Sequence, residues 1–78
     1  MPDRDEEERH LQEADRHVAD AHRLMGQLEI LIEGGRQRGS DVGPACRALH
    51  AMQEVLDTFL AHRALIRQTI ADIDAGKL

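Results

Sequence analysis

The chain has 78 residues, with 15 acidic side chains against 10 basic ones, a formal net charge of −5 and one aromatic residue, Phe59. A chain of this size forms one small domain and buries too little apolar surface to be comfortably stable alone. The acid excess and the lack of aromatic stacking surfaces argue against a nucleic-acid partner. A single cysteine, Cys46, excludes an internal disulfide and a zinc site built from several thiolates.

No segment of the sequence predicts a signal peptide or a membrane span. The N-terminus lacks the order of basic, apolar and small residues that a signal peptide has. Ile30-Leu31-Ile32 is among the longest apolar runs, whereas a membrane span needs about 20 apolar residues. We therefore expect a soluble, cytoplasmic protein that makes no membrane contact.

The first predicted helix begins in an acidic segment and covers about residues 4–36. Asp3 and Glu6 have the spacing of a capping box, and carboxylates in a first turn complement the helix dipole. A solvated acidic tail is the alternative interpretation. Apolar residues then recur at intervals of three and four, which predicts an amphipathic helix. This first seam consists of Leu11, Ala14, Val18, Ala21, Met25, Leu28 and Ile32.

A glycine-rich segment follows and predicts a turn at about residues 37–41. Gly39 is expected in the left-handed conformation that ends many helices, and Asp41 is expected as the N-cap of the next helix. Pro44 suits the first turn of that helix, where its missing N–H has no helical partner. Gly34 and Gly35 are expected to fray the end of the first helix.

The second predicted helix covers about residues 42–74 and repeats the same spacing. Its seam consists of Ala45, Leu49, Met52, Leu56, Phe59, Arg63, Ile66, Ile70 and Ile73. A short turn between two long helices predicts an antiparallel αα-hairpin, an all-α fold in a single domain. Matching the seams across the turn places Met25 near Met52 and Ala21 near Leu56.

Both seams are wider than one neighbouring helix can cover. Leu24 and Leu31 widen the first seam, and Val55, Leu60 and Leu65 widen the second. Two-fold dimers are the commonest oligomers, so we predict a coiled-coil-like homodimer that forms a four-helix bundle. A larger bundle or a complex with another protein is the alternative. The residues predicted to form the shared core and interface are Leu11, Val18, Met25, Leu28, Ile32, Leu49, Met52, Leu56, Phe59, Ile66 and Ile70.

The strongest candidates for a metal site are Cys46 and His50, which lie one helical turn apart. Glu29 is the nearest further ligand across the hairpin, which makes a weak set because zinc requires three or four ligands. The favoured interpretation is that Cys46 is a small buried hydrophobe at the mouth of the bundle and His50 a surface residue. A dimer axis could double any pair of ligands, so the alternative function is a metal-binding helical bundle that uses histidines brought together by dimerisation.

The other histidines form no recognisable catalytic constellation. His62 is expected to approach Asp15 and Val18 from the opposite helix, a contact that could tune a histidine near neutral pH. No nucleophile or oxyanion donor is evident nearby, so a half-buried histidine satisfied by a carboxylate is favoured. His22 lacks any phosphotransfer signature. We therefore predict no catalytic residue and no cofactor.

Two groups of arginines call for a structural interpretation. Arg63 interrupts the second seam at the level of Ala14, where its guanidinium can pair with Glu13, with Asp15 or with an acid on a second chain and so fix the register and handedness of assembly. Arg36 and Arg38 stand at the glycine-rich turn, but the segment matches neither a P-loop nor a dinucleotide fingerprint. Charge is nevertheless segregated: residues 3–20 hold eight acids and three arginines, while residues 34–50 hold three arginines and one acid.

Three short motifs resemble a group of small proteobacterial proteins common in rhizobia and their relatives. The motifs are Asp15-Arg16-His17-Val18-Ala19, Gly39-Ser40-Asp41 and His62-Arg63-Ala64-Leu65-Ile66. Nine arginines against one lysine also suit a bacterial source of high GC content. The chain departs from the group at Gly34-Gly35, which is usually continuous helix, and at Pro44. The resemblance implies a helical hairpin with no established activity.

Taken together, the sequence predicts a non-enzymatic, cytoplasmic interaction or regulatory module. Its predicted partner is a second copy of itself, and neither a nucleic acid nor a membrane is expected. The prediction depends on the pair of wide apolar seams.

Overall fold

The computed structural model describes residues 3–78 and consists of two helices packed side by side. Helix α1 comprises Arg4–Arg38 and helix α2 comprises Gly43–Asp74. The two run antiparallel along a body of 58 × 15 × 14 Å, which confirms the predicted αα-hairpin. Within residues 3–78, neither helix carries an apolar stretch long enough to cross a membrane.

Helix α1 starts where the acidic segment begins. Asp3 is its N-cap, and the carboxylate of Asp3 accepts a hydrogen bond from the backbone N–H of Asp5 (3.0 Å). Three acids, Asp5, Glu6 and Glu7, lie in the first turn, close to the positive end of the helix dipole. From Asp3 onward the segment is therefore helix rather than acidic tail; Met1 and Pro2 lie outside the described residues.

The expectation that the glycine pair frays the end of α1 is wrong. The helix continues through Gly34 and Gly35 to Arg38, two residues beyond the predicted end. Gly35 is buried, and a Cβ atom placed on it would lie only 2.6 Å from Cγ1 of Val42. The missing side chain therefore allows the chain to fold back closely against the last turn of the helix.

The turn follows the prediction at Gly39 and departs from it at Asp41. Gly39 has a φ of 72°, in the left-handed region that favours glycine. The N-cap of α2 is Val42, which offers no side-chain cap, rather than Asp41. The Asp41 carboxylate accepts from the Gly43 N–H (2.9 Å) and so caps the helix from one residue further back. Pro44 lies in the first turn of α2, as predicted.

The core is thin because each helix has only one neighbour. Its centre is formed by Val18, Ala21 and Leu56, in the register that the seams predict. Met25 and Met52 pack against this centre but remain half-buried. The buried apolar residues are Ala14, Val18, Ala21, Ile32, Leu56 and Ile66. The remaining seam residues are half-buried, namely Leu11, Met25, Leu28, Ala45, Leu49, Met52, Phe59, Arg63, Ile70 and Ile73.

An ion pair joins the two helices at the end of the hairpin opposite the turn, which we call the open end. Arg4 donates from Nε and Nη2 to the two carboxylate oxygens of Asp74, at 2.7 and 3.1 Å. The Arg4 guanidinium also pairs with Glu8. Because Arg4 donates to it, the carboxyl of Asp74 has a pKa below its ordinary value.

The hairpin is more extended than a compact domain of its size. Its radius of gyration is 17.6 Å, against about 11.5 Å expected for a compact domain of this length. Its accessible surface is 5550 Å², against about 4,800 Å² expected for a folded monomer of this mass. The fold therefore leaves roughly 800 Å² more surface in water than a compact protein would.

Candidate functional site

The seam divides the long surface of the hairpin into two flanks of different chemistry. Residues seven apart on a helix share one side, so the residues after and before each seam position form separate rows. One row, the polar flank, consists of Asp15, His22, Glu29, Arg36, Cys46, Gln53, Leu60 and Arg67. The other row, the apolar flank, consists of His10, His17, Leu24, Leu31, Ala48, Val55, His62 and Thr69. Leu65, three residues after His62 on the same side of α2, extends this flank.

Contacts across the helix pair confirm the division on the polar flank. Asp15 of α1 contacts Nη1 of Arg63 at 3.4 Å and Nη2 of Arg67 at 3.9 Å, both on α2. Arg63 is half-buried in the seam, and its guanidinium leaves the core toward this flank, where it reaches Asp15, one of its predicted partners. The polar flank is therefore held by ion pairs between the helices.

The apolar flank exposes large hydrophobic side chains in a row. Leu24 and Val55 are 41% and 39% exposed, and the packing of Ala21 with Leu56 places them at about the same level on the two helices. Leu31, toward the turn, is 59% exposed, and Leu65, toward the open end, is 68% exposed. The other large exposed hydrophobics within residues 3–78 are Ile30, on the outer face of α1, and Leu78, in the C-terminal segment. Four of the six thus lie on one flank, so one side of the hairpin exposes more large apolar side chains than the other.

Histidines complete the apolar flank. The ring of His17 stacks on Phe59, with ring centroids 5.2 Å apart and planes inclined by 30°. His62 lies on the same flank, so the predicted approach of His62 to Asp15 is wrong. Asp15 lies across the seam, where its carboxylate contacts Arg63 and Arg67 instead. The error arises because the prediction matched levels along the helices without following the side of the seam.

The polar flank contains a shallow groove of about 400 Å³ near the turn. Glu29, Cys46 and His50, the three candidate metal ligands, all line it. Among residues 3–78, however, no three His, Cys, Asp or Glu side chains are close enough together to hold a metal ion. His50 lies 3.6 Å from Glu54 on its own helix, measured from Nε2 to Oε1, and is exposed. The groove therefore brings the candidates to one place without forming a coordination site within one chain.

The turn does not offer the phosphate cradle that its glycines and arginines suggest. The N–H of Gly39 donates to the carbonyl of Arg36 (3.1 Å), and that of Ser40 donates to Gly35 (2.8 Å). The next glycine N–H, of Gly43, donates to Asp41. These amides are engaged in ending one helix and starting the next, so they are not directed at an anion.

The apolar flank has a signal in the sequence, beyond the spacing of the seam residues. The residues that widen the first seam, Leu24 and Leu31, each precede a seam position, and so does Val55 in the second helix. In an antiparallel pair, the residues that precede corresponding seam positions face the same side. Leu60, by contrast, follows a seam position, lies on the polar flank and is half-buried against the core.

Comparisons with known proteins identify no relative. None of the protein-family models, curated proteins or solved structures matches this chain. The resemblance to the rhizobial group accordingly stays a prediction from short motifs.

Proposed function

We propose that this protein is a non-enzymatic, cytoplasmic interaction module that acts as a homodimer, in which two hairpins form a four-helix bundle. The observation that carries the proposal is the row of exposed leucine and valine side chains on the apolar flank. These residues border a seam whose methionines and Phe59 are only half-buried. A second apolar surface packed on this flank would bury the exposed leucines and valine together with the half-buried methionines and Phe59.

The amount of exposed surface supports association. The chain exposes roughly 800 Å² more than a compact monomer of its mass. A standard protein–protein interface buries about 800 Å² on each partner, so one interface accounts for the excess. Apolar burial contributes about 25 cal/mol per Å², which makes the apolar flank the strongest driving force for association on this surface.

Binding is favoured over catalysis by what the polar side chains do. Arg63 and Arg67 contact Asp15, and Arg4 contacts Asp74 and Glu8, so these charged groups connect the two helices or consecutive turns. The turn amides likewise bond within the turn. Charged groups used in this way stabilise a scaffold and leave the apolar flank as its interacting surface.

The test is the mass of the folded protein in solution. At micromolar concentration, sedimentation equilibrium should give twice the chain mass of 8.8 kDa, with a helical circular dichroism spectrum. Replacing Leu24 with Glu should convert the dimer to a monomer, while the matched control Ile30→Glu on the outer face should leave the mass unchanged. A helical protein of 8.8 kDa at these concentrations would contradict the proposal.

Metal binding is the second candidate, because Glu29, Cys46 and His50 line one groove. A second chain would have to supply further ligands, since zinc requires three or four. If the groove binds zinc, added Zn²⁺ should raise the Tm, and Cys46→Ser should abolish that rise. An unchanged Tm at a hundred-fold excess of zinc would exclude this candidate.

A further inference from the structure

We infer that the second copy docks on the apolar flank end over end, so that the turn of one hairpin lies beside the open end of the other. The inference rests on the proposed self-association and adds the face, the direction and the charge pairing of the complex. It follows from three features: the chemistry of the two flanks, the position of the exposed side chains along the rod and the distribution of charge.

The first step selects the flank. The polar flank carries the Asp15 pairs and a groove lined by Glu29, Glu33 and Arg36, and burying these charges would cost desolvation. The apolar flank instead exposes leucine and valine next to the small side chain of Ala48. Burial of this flank removes apolar surface from water, and the long contact of His10 with Glu7 (3.7 Å) lies at its open end, away from the leucines and valine. The second copy therefore covers the apolar flank.

The second step places the centre of the contact. Leu24 and Val55 lie at the same level and are the least exposed of the four hydrophobics, so they mark the middle of the row. A two-fold axis perpendicular to the rod at this level relates the two copies. It places each residue of α1 opposite the residue of the second copy's α1 that lies equally far from Leu24 in the other direction. Leu31, seven residues toward the turn, then lies opposite His17, seven residues toward the open end, where Phe59 is half-buried. An exposed leucine of one copy thus meets the stacked rings of His17 and Phe59 of the other.

The third step sets the direction by charge. Residues 3–20 hold eight acids and three arginines, and residues 34–50 hold three arginines and one acid. A second copy in the same direction would place one acidic open end beside the other, and like charges in proximity repel. End-over-end docking instead places the acidic end of each chain beside the basic turn of its partner.

This arrangement predicts one charge pair between the two copies. Arg38 lies at the turn end of the apolar flank, fourteen residues from Leu24. The position fourteen residues on the other side is His10, and Glu6 and Glu13 flank it on the same side of α1. End-over-end docking therefore brings Arg38 of one copy to Glu13 of the other.

Distances between spin labels test the direction independently of association. We would label Gln37→Cys, on the outer face near the turn, in a Cys46→Ser background and measure the label separation by pulsed EPR. End-over-end docking separates the two labels by about 40 Å along the rod, from 1.5 Å per residue over thirteen residues in each copy. Docking in the same direction leaves only the width of the bundle, about 20–25 Å.

A control label separates the possible failures. Arg23→Cys lies on the outer face at the level of Leu24, so its two labels should be close in either direction. Close labels at both positions in a dimer would overturn the inference and leave the proposed self-association intact. A mass of one chain would remove both.

Charge reversal provides a second test. Arg38→Glu and Glu13→Arg should each raise the dimer dissociation constant about two- to five-fold, and the double variant should recover most of that loss. Arg47→Glu makes the same charge change on the outer face near the turn and should have a smaller effect. An equal effect of Arg38→Glu and Arg47→Glu, with no recovery in the double variant, would contradict the pairing.

Discussion

The two flanks of the hairpin differ although they border the same seam. The polar flank is stabilised within one chain, because Asp15 reaches Arg63 and Arg67 across the helix pair. On the apolar flank the two helices meet through the stacking of His17 on Phe59, and the leucines and valine remain exposed. The comparison shows that a two-helix chain can pair the charges along one side of its seam within one chain and still expose apolar side chains along the other side.

The largest effect on folding and association is expected at Leu56, which lies in the seam between the two flanks. Leu56 is buried at the centre of the core, between Val18 and Ala21. Leu56→Glu should unfold and dissociate the protein together, because an unpaired charge cannot be buried there and folding and assembly share one core. Circular dichroism should show loss of helix, and sedimentation should show a single chain. A variant that remains helical would show that the core tolerates a charge and that our account of it is wrong.

The next effect distinguishes the flanks directly. Val55→Glu adds a charge to the apolar flank, and Gln53→Glu adds the same charge two residues away on the polar flank. We expect Val55→Glu to raise the dimer dissociation constant at least ten-fold, because a charge desolvated in an apolar interface costs more than about 1.4 kcal/mol. Gln53→Glu should change it little. Equal increases in the dissociation constant for the two variants, measured by light scattering over a dilution series, would contradict the distinction between the flanks.

A smaller effect is expected where the seam meets the turn. Gly35→Ala places a Cβ atom 2.6 Å from Val42, so it should destabilise the protein by about 1–3 kcal/mol in urea unfolding. The neighbouring Gly34→Ala meets only the flexible end of Arg38, at 3.2 Å, and should be neutral or stabilising by up to about 1 kcal/mol.

A second substitution shows whether the clash is the cause. In the double variant Gly35→Ala/Val42→Ala, most of the lost stability should return because the obstructing methyl group has been removed. Stability unchanged by Gly35→Ala alone would show that the close approach is not needed.

The smallest effect concerns the open end. Because the pKa of Asp74 is lowered by Arg4, the pair stabilises the fold above the ordinary carboxyl pKa of 3.8, and this contribution is lost as the pH falls through the lowered value. Asp74→Asn should lower the Tm slightly at pH 7 and leave the Tm unchanged relative to wild type once the carboxylate is protonated. Thermal melts between about pH 2 and pH 7, which span the titration range of a carboxyl group, measure the difference in Tm between the variant and the wild type. A constant gap between the two proteins across the series would contradict this assignment.

The sequence predicted the architecture because one repeating pattern determines most of it. The spacing of the seam residues predicts both helices, and the short turn requires them to be antiparallel, so the central register of Ala21 with Leu56 follows. Gly39 was likewise predictable, since a left-handed residue at a helix end favours glycine.

Three features depended on contacts that the pattern does not contain. Gly35 is required by the close approach of Val42, which is known only when the turn is folded. Asp41 caps α2 from outside the N-cap because Val42 occupies that position. Predicting the apolar flank requires assigning each residue of both helices to one side of the seam. The prediction that His62 approaches Asp15 omitted this assignment and was wrong for that reason.

The tight connection also determines how two chains can meet. Long two-helix chains can exchange helices by straightening the connection into one continuous rod, each half then packing on the other chain. Here Gly39 lies in a left-handed conformation, glycine is a poor helix former, and Pro44 lacks a donor for a continuous helix. Straightening therefore carries a conformational cost, so in the proposed dimer each hairpin closes on itself before it meets its partner. Exchange between chains on mixing should then proceed by release of intact hairpins, with no refolding of either helix.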